Sequence, residues 1–125
     1  EDFGKLPENI SVFPHVDQIA VLKCADVFLS HCGMNSVSES LYFAVPLVML
    51  PQTAEQGGVA ERVRQLGAGV KLDKTDATSL RQAVNILLTD SSYQQNARMI
   101  SEGFRRWSGA KGAADQILQA CKGSV

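Results

Sequence analysis

The chain has 125 residues, a length that suits one domain with an ordinary buried core. Hydrophobic residues make up 45% of it and charged residues 20%, as in a typical globular protein. The net charge of −1 gives no electrostatic reason to expect a nucleic-acid partner or an anionic membrane surface. No apolar run approaches the roughly 20 residues of a spanning helix, so we expect no membrane span.

Short apolar runs alternate with helical patterns along the first part of the chain. They predict strands at 9–13, 27–30, 47–50 and 70–72, with helices at 17–24, 35–43 and 59–66 and a loop at 52–58. From Asp76 onward the pattern is helical: one helix capped by Asp76 or Thr78, one capped by Ser91 or Ser92 and running to Trp107, and a last helix at 113–121. This order predicts an α/β fold: a Rossmann-like open parallel sheet with flanking helices, followed by C-terminal helices.

The three cysteines predict neither a disulfide framework nor a metal site. Cys24, Cys32 and Cys121 are odd in number and widely spaced, which is typical of a reducing cytoplasm. Cys24, His31 and Cys32 lack the paired spacing of zinc ligands. Because neighbouring side chains near a strand end diverge, His31 and Cys32 do not predict a nucleophilic dyad. We expect three buried thiols and no metal.

The stretch from residue 27 to residue 39 combines a buried strand, a glycine and the start of a helix. Gly33 breaks the strand, and Asn35 or Ser36 is expected to cap the helix, with Ser36 and Glu39 spaced as a capping box. Such a junction exposes backbone N–H groups at the positive end of a helix, where anions bind, and His31 adds a donor. It is neither a Walker A loop nor a Gly-x-Gly-x-x-Gly turn. The alternatives are a purely structural junction, a buried His31, and a Glu39 that only caps the helix.

Three polar loops are expected to meet at one edge of the predicted sheet. They are residues 14–18, 31–36 and 51–57, each of which follows a predicted strand. In open parallel sheets, ligands lie outside the carboxyl ends of the strands. We therefore expect a ligand site where these loops converge.

The motifs in these loops resemble the donor-binding half of family 1 glycosyltransferases, the UDP-sugar-dependent enzymes of the GT-B fold. The resemblance is greatest to bacterial macrolide-type and plant natural-product glucosyltransferases. The motifs that carry it are His15-Val-Asp-Gln18, His31-Cys-Gly-Met-Asn-Ser36 with Glu39, Val45-Pro46, Pro51, and Glu55-Gln56. The resemblance implies a single donor-binding domain over residues 1–125.

The resemblance also implies a role for each matching residue. His15 stands where the family has an aromatic that stacks on uracil, although it is usually Trp or Tyr, and Gln18 reads the uracil edge. Glu39 accepts from the ribose hydroxyls, and the sugar is held by Glu55, where Asp is usual, and Gln56. The diphosphate is bound by His31, Gly33, Met34, Asn35 and Ser36.

The activity that the resemblance implies is an inverting transfer of a hexose from a UDP-sugar, expected to be UDP-glucose, to a hydroxyl of a small hydrophobic acceptor. No metal or other cofactor is required. The family's catalytic base and acceptor site lie in an N-terminal domain that nothing here matches, so no catalytic residue is expected in this chain. Two early strands of the donor domain are also unmatched, and we expect a fragment whose sheet is completed by other strands, a second chain or self-association.

Two further alternatives stay open at this stage. One is a UDP-sugar-binding subunit without catalysis of its own, which needs a separate acceptor-binding partner. The other is a structural α/β domain with a vestigial phosphate site.

Overall fold

The computed structural model describes residues 4–106. The predicted helix at 113–121, Trp107 and Cys121 lie outside the described residues. The elements, in chain order, are α1 (Gln18–Leu22), β1 (Phe28–Ser30), α2 (Met34–Tyr42), β2 (Leu47–Met49), α3 (Ala54–Gln65), β3 (Gly69–Lys71), α4 (Ala77–Thr89) and α5 (Ser91–Arg105).

Within the described residues the strands form one parallel sheet in the order β1-β2-β3, with Leu29, Val48 and Val70 in register. All three residues of β2 are fully buried. Because side chains alternate along a strand, Leu47 and Met49 point to one face of the sheet and Val48 to the other. An unbroken apolar strand is what a sheet covered on both faces needs. The predicted parallel α/β architecture is confirmed.

Two hydrophobic clusters cover the two faces of the sheet. The cluster that includes Leu47 and Met49 is completed by apolar residues of α2, α3 and α5, such as Leu41, Val63 and Phe104. The cluster that includes Val48 is completed mainly by α4 through Ala83 and Leu87. The sheet is therefore the middle layer, and its carboxyl edge stays open at the ends of β1 and β2.

Helix α5 is fastened to the rest of the domain by side chains that donate to backbone carbonyls. Gln94 Nε2 donates to Ala44 O at 2.9 Å and Asn96 Nδ2 donates to Gly67 O at 3.1 Å. Gly67 follows α3 with a φ of 71°, and a Cβ there would lie 2.5 Å from Asn96 Nδ2. Residue 67 therefore favours glycine, which adopts a positive φ at a helix end without strain.

The predicted buried strand at 9–13 is wrong. This segment forms no strand, and Ile10, Val12 and Phe13 are 49%, 51% and 65% exposed. A β-strand needs a partner to satisfy its backbone. Among the described residues, no strand pairs with residues 9–13, and this apolar segment lies exposed.

Three other local predictions are also wrong. Residues 52–58 are not all loop, because Thr53 caps α3 by accepting from Gln56 N at 3.1 Å and the helix begins at Ala54. Helix α5 is capped by Asp90 rather than by a serine. Cys24 is exposed rather than buried.

No helix among residues 4–106 is long and apolar enough to cross a membrane.

Candidate functional site

The turn between β1 and α2 is shaped by Ser30 and Cys32. Cys32 has a φ of 71°, a left-handed conformation that is strained for a residue with a side chain. Its backbone N–H donates to Ser30 Oγ at 3.0 Å, and both side chains are buried. Gly33, which the sequence predicted to make the turn, instead has an ordinary φ of −61°. The residue with the left-handed backbone in this turn is therefore Cys32 and not the glycine that follows it.

The helix that follows this turn begins without a side-chain cap. Gly33 is the N-cap residue of α2, so the predicted caps Asn35 and Ser36 lie inside the helix and that prediction is wrong. The other four described helices start with a side chain that accepts from their first turn, and these caps are Asp17, Thr53, Asp76 and Asp90. Helix α2 thus directs its first N–H groups and its positive dipole end to the carboxyl edge of the sheet without an acceptor from its cap residue.

His31 stands beside this helix start. Its side chain is exposed, so the alternative of a buried structural histidine is wrong. A Cβ at Gly33 would lie 4.0 Å from His31 Cε1, which locates the imidazole next to the N-cap. Cys32, the next residue, is fully buried, so the two side chains diverge as predicted. An imidazole and the N–H groups of Met34 and Asn35 therefore border the same space.

Cys32 has no part in the chemistry of this space. Burial raises the pKa of its thiol to about 11, against the opposing effects of a hydrogen bond from the Leu50 backbone and of the Lys71 charge. The thiol is therefore protonated at neutral pH and is a poor nucleophile.

A hydrogen-bonded cluster joins α1 to α2 on the side of this space. Gln18 Nε2 donates to Glu39 Oε2 at 2.9 Å and to Ser36 Oγ at 3.3 Å. All three side chains are half-buried. Ser36 and Glu39 thus do not form the predicted capping box. The sequence could not reveal this cluster, because Gln18 and Glu39 are 21 residues apart and only the packing of α1 on α2 joins them.

The exit of β2 lies next to that of β1. Leu50 N donates to Ser30 O at 2.9 Å, which continues the pairing past the end of both strands. Helix α3 then begins, with Glu55 and Gln56 in its first turn. Gln56 Oε1 accepts from Gln52 N at 2.8 Å, which fixes the orientation of its side-chain amide, and Glu55 is exposed. The structure thus places this pair on a helix start at the same edge of the sheet as His31.

Within the described part of the chain, His15 has no contact that fixes it at the predicted site. It is exposed in the segment that leads into α1, three residues before Gln18. Only that sequence proximity brings it near the cluster.

The described residues contain no group of three or more His, Cys, Asp or Glu that could hold a metal ion. The chemistry available at the sheet edge comes from helix N–H groups, one imidazole and a few polar side chains. Such donors bind and stabilise an anion without a metal when they are held in place before it arrives.

Comparisons with known proteins identify the family of this chain. The family model described as "Erythromycin biosynthesis protein CIII-like, C-terminal domain" matches residues 1–107. An uncharacterized UDP-glucosyltransferase of Bacillus subtilis, YojK, is 38% identical over 123 residues, which cover 97% of this chain and 30% of that protein. The oleandomycin glycosyltransferase of Streptomyces antibioticus is 34% identical over 118 residues, 93% of this chain and 27% of the relative.

Solved structures give the same result. The glycosyltransferase of kitacinnamycin superposes with a TM-score of 0.82 and 36% identity, over 95% of this chain and 31% of that one. The chain therefore spans about 30% of the length of the relatives that it matches. With the family model matched over most of its length, the chain belongs to the family of erythromycin biosynthesis protein CIII-like C-terminal domains, which form the C-terminal part of glycosyltransferases of the GT-B fold.

Proposed function

We propose that this chain binds the UDP-sugar donor of an inverting, metal-independent glycosyltransferase. The observation that carries the proposal is the start of α2, where Gly33 supplies no side-chain cap and His31 stands beside the first N–H groups. A helix start of this kind is suited to a diphosphate. The relatives are named as glucosyl- and glycosyltransferases, which supports the same ligand class.

The diphosphate would lie against the first turn of α2. The backbone N–H groups of Met34 and Asn35 and the side chains of His31 and Ser36 are the donors, and Gly33 presents no side chain toward the ligand. As the sugar leaves, negative charge grows on the β-phosphate, and donors that are already in place stabilise that charge. This explains how the reaction could proceed without a metal ion.

The nucleoside would lie between α1 and α2. Glu39 accepts from the ribose hydroxyls, while His15 stacks on the uracil and Gln18 lies on the base side. A carboxylate is a suitable reader of a ribose because it accepts from two neighbouring hydroxyls at once. The hydrogen-bonded cluster of Gln18, Ser36 and Glu39 supports this assignment because it holds the ribose reader next to the diphosphate site.

The sugar would lie at the start of α3. Glu55 offers a carboxylate and Gln56 an amide whose Oε1 is already bound to Gln52 N, which directs its Nε2 donor elsewhere. An acceptor and a donor together hold vicinal sugar hydroxyls and fix the anomeric carbon for attack. We propose glucose as the sugar, in line with the name of the relative YojK, a UDP-glucosyltransferase.

The intact protein would transfer the sugar to a hydroxyl of a small hydrophobic acceptor. Neither His15 nor His31 is available as the catalytic base, because both are assigned to the donor. The base and the acceptor site would therefore come from an acceptor-binding domain, and the exposed apolar segment 9–13 would pair with strands outside this chain. The expected cytoplasmic location is part of the same proposal.

Titration calorimetry with UDP and with uridine tests the donor site. The His31→Ala variant removes a donor to the diphosphate, so its affinity for UDP should fall about ten- to a hundredfold, the usual worth of a hydrogen bond to a charged group. Its affinity for uridine should not change.

The His15→Ala variant is the matched control, because it removes the chain's other histidine from the base side. This variant should lower the affinities for UDP and for uridine by the same factor. A wild-type protein that is folded by circular dichroism and binds neither UDP nor UDP-glucose would contradict the proposed function.

A further inference from the structure

The cluster that joins α1 to α2 gives Gln18 a role that differs from reading the base. We propose that Gln18 is a positioning residue for Glu39, and that the Gln18–Glu39 hydrogen bond gives the site its preference for ribose over deoxyribose nucleotides. This inference rests on the proposed function, since it concerns how the same site recognises its nucleotide.

The orientation of the Gln18 amide follows from its partners. Glu39 Oε2 lies 2.9 Å from the amide, and an ionised carboxylate can only accept, so the NH₂ group must face it. The same nitrogen lies 3.3 Å from Ser36 Oγ. The Gln18 donor is therefore engaged within the protein and is not directed to a base edge.

Glu39 needs such a partner if it is to read a ribose. A glutamate has three rotatable side-chain bonds, and a half-buried carboxylate without a bound donor would reorient toward water. The bond from Gln18 holds Oε2 on one side. The orientation of the other Glu39 oxygen, Oε1, is then also fixed, and this oxygen can accept a hydrogen bond from a ligand hydroxyl. The preference for a 2′-hydroxyl thus depends on a residue that need not touch the nucleotide.

A purely structural role for Gln18 is the competing explanation. In α1, Leu22 is buried while Ile19 and Val21 are 43% and 49% exposed, so few contacts fasten this helix. Gln18 could serve only to hold α1 on α2. That role predicts a loss of stability, but it predicts no change in the ratio of affinities for two nucleotides that differ by one hydroxyl.

The experiment compares UDP with 2′-deoxy-UDP by calorimetry in the intact protein. These ligands share base and diphosphate, so their affinity ratio reports the 2′-hydroxyl alone. The wild type should prefer UDP about tenfold or more, the usual worth of a hydrogen bond to a charged acceptor. Gln18→Glu has nearly the same shape but places a second carboxylate against Glu39, and its ratio should fall close to one.

Two further variants separate the possible roles of Gln18. Gln18→Lys again supplies a donor to Glu39, and it should keep the wild-type ratio. Glu39→Ala should have no preference for UDP over 2′-deoxy-UDP. The double variant with Gln18→Ala should show the same affinity ratio as Glu39→Ala alone.

Each outcome decides between the roles. If the affinities for UDP and for 2′-deoxy-UDP fell by the same factor in both Gln18→Glu and Gln18→Lys, Gln18 would be a reader of the base. That result would overturn this inference but not the proposed function. A wild-type ratio in Gln18→Glu, with a lower melting temperature, would show a structural role and would also overturn it. A wild type that binds UDP and 2′-deoxy-UDP equally would do the same, whereas a wild type that does not bind UDP at all would overturn the proposed function as well.

Discussion

The start of α2 and the starts of the other four described helices are built differently. Asp17, Thr53, Asp76 and Asp90 each accept from an N–H group in the first turn of α1, α3, α4 or α5. Helix α2 begins at Gly33, which has no side chain to offer. Four helices thus have a side-chain acceptor at the residue before their first turn. The first N–H groups of α2 have no such acceptor from Gly33.

The missing side-chain cap at the start of α2 is itself an indication of a ligand site. A side-chain cap stabilises a helix by only a few tenths of a kcal/mol relative to a glycine cap, so a glycine at this position costs the fold little stability. At α2 the gain that we propose is a place for an anion, next to His31 and at the open edge of the sheet. On that proposal, stability and ligand binding are served by different residue types at equivalent positions.

A change that makes α2 like the other helices should have the largest effect. Gly33→Asp fits the backbone, because Gly33 has an extended conformation and a Cβ there meets only His31 Cε1, at 4.0 Å. The new carboxylate would cap α2 and raise the free energy of unfolding by a few tenths of a kcal/mol. It would also take the place of the diphosphate and repel it, so calorimetry should show UDP affinity reduced on the order of a hundredfold.

Gly33→Ala is the control for this variant, since it adds a methyl group without an acceptor. UDP affinity should fall much less in Gly33→Ala than in Gly33→Asp, because the methyl group takes some of the space at residue 33 but adds no charge near the ligand. If Gly33→Ala loses UDP binding as completely as Gly33→Asp, the site requires close approach of the backbone at residue 33, and the comparison of caps does not explain it.

The opposite change, at a capped helix, should affect stability instead. Thr53→Ala removes the acceptor for Gln56 N and should lower the free energy of unfolding by about 1 kcal/mol in urea denaturation. Its UDP affinity should not change, because in the proposed site the start of α3 faces the sugar, which UDP lacks, and not the diphosphate.

Thr89→Ala is the matched control for Thr53→Ala. The Thr89 hydroxyl donates to Asn85 O at 2.6 Å at the other end of a helix and caps nothing. This variant should change stability by less than about 0.5 kcal/mol. Equal losses in the two variants would mean that the Thr53 cap contributes little.

The smallest expected effect is a dependence on pH at α4. Hydrogen bonds from the Ser79 backbone and hydroxyl lower the pKa of Asp76 in the folded protein. A carboxylate with a lowered pKa stabilises the fold above its unfolded pKa, and this contribution is lost as the pH falls through the folded value. Asp76→Asn keeps a capping oxygen but does not titrate, so its stability relative to the wild type should rise between about pH 5 and pH 2. A constant difference across that range in urea denaturation would contradict the proposed cap.

Much of the fold could be predicted because it depends on local patterns. The apolar runs at β1, β2 and β3 and the cap Asp76 are short-range signals, and each lies within a residue or two of its predicted place. The glycine that ends α3 was also predictable, because a positive φ favours glycine strongly at a helix end. The site residues were named from motifs, and the structure places His31, Gly33 and Ser36 together at one helix start.

Two of the wrong predictions share a different cause. The apolar segment 9–13 has the composition of a strand, but composition does not provide the neighbouring strand that it needs. Ser36 and Glu39 have the spacing of a capping box, yet the helix begins earlier, because the turn is made by Cys32 with support from Ser30. In each case a contact outside the local pattern decided which of two acceptable conformations formed.

The amino-acid sequence by itself therefore determined the order of strands and helices, the family and the identity of the candidate donor-site residues. Periodicity, turn residues and motifs act over a few residues and can be read along the chain. Only the tertiary structure decided that α2 starts without a side-chain cap and that Gln18 bonds to Glu39. Those features depend on residues brought together from distant parts of the chain, and a hydrogen bond between two helices leaves no periodic trace in either one.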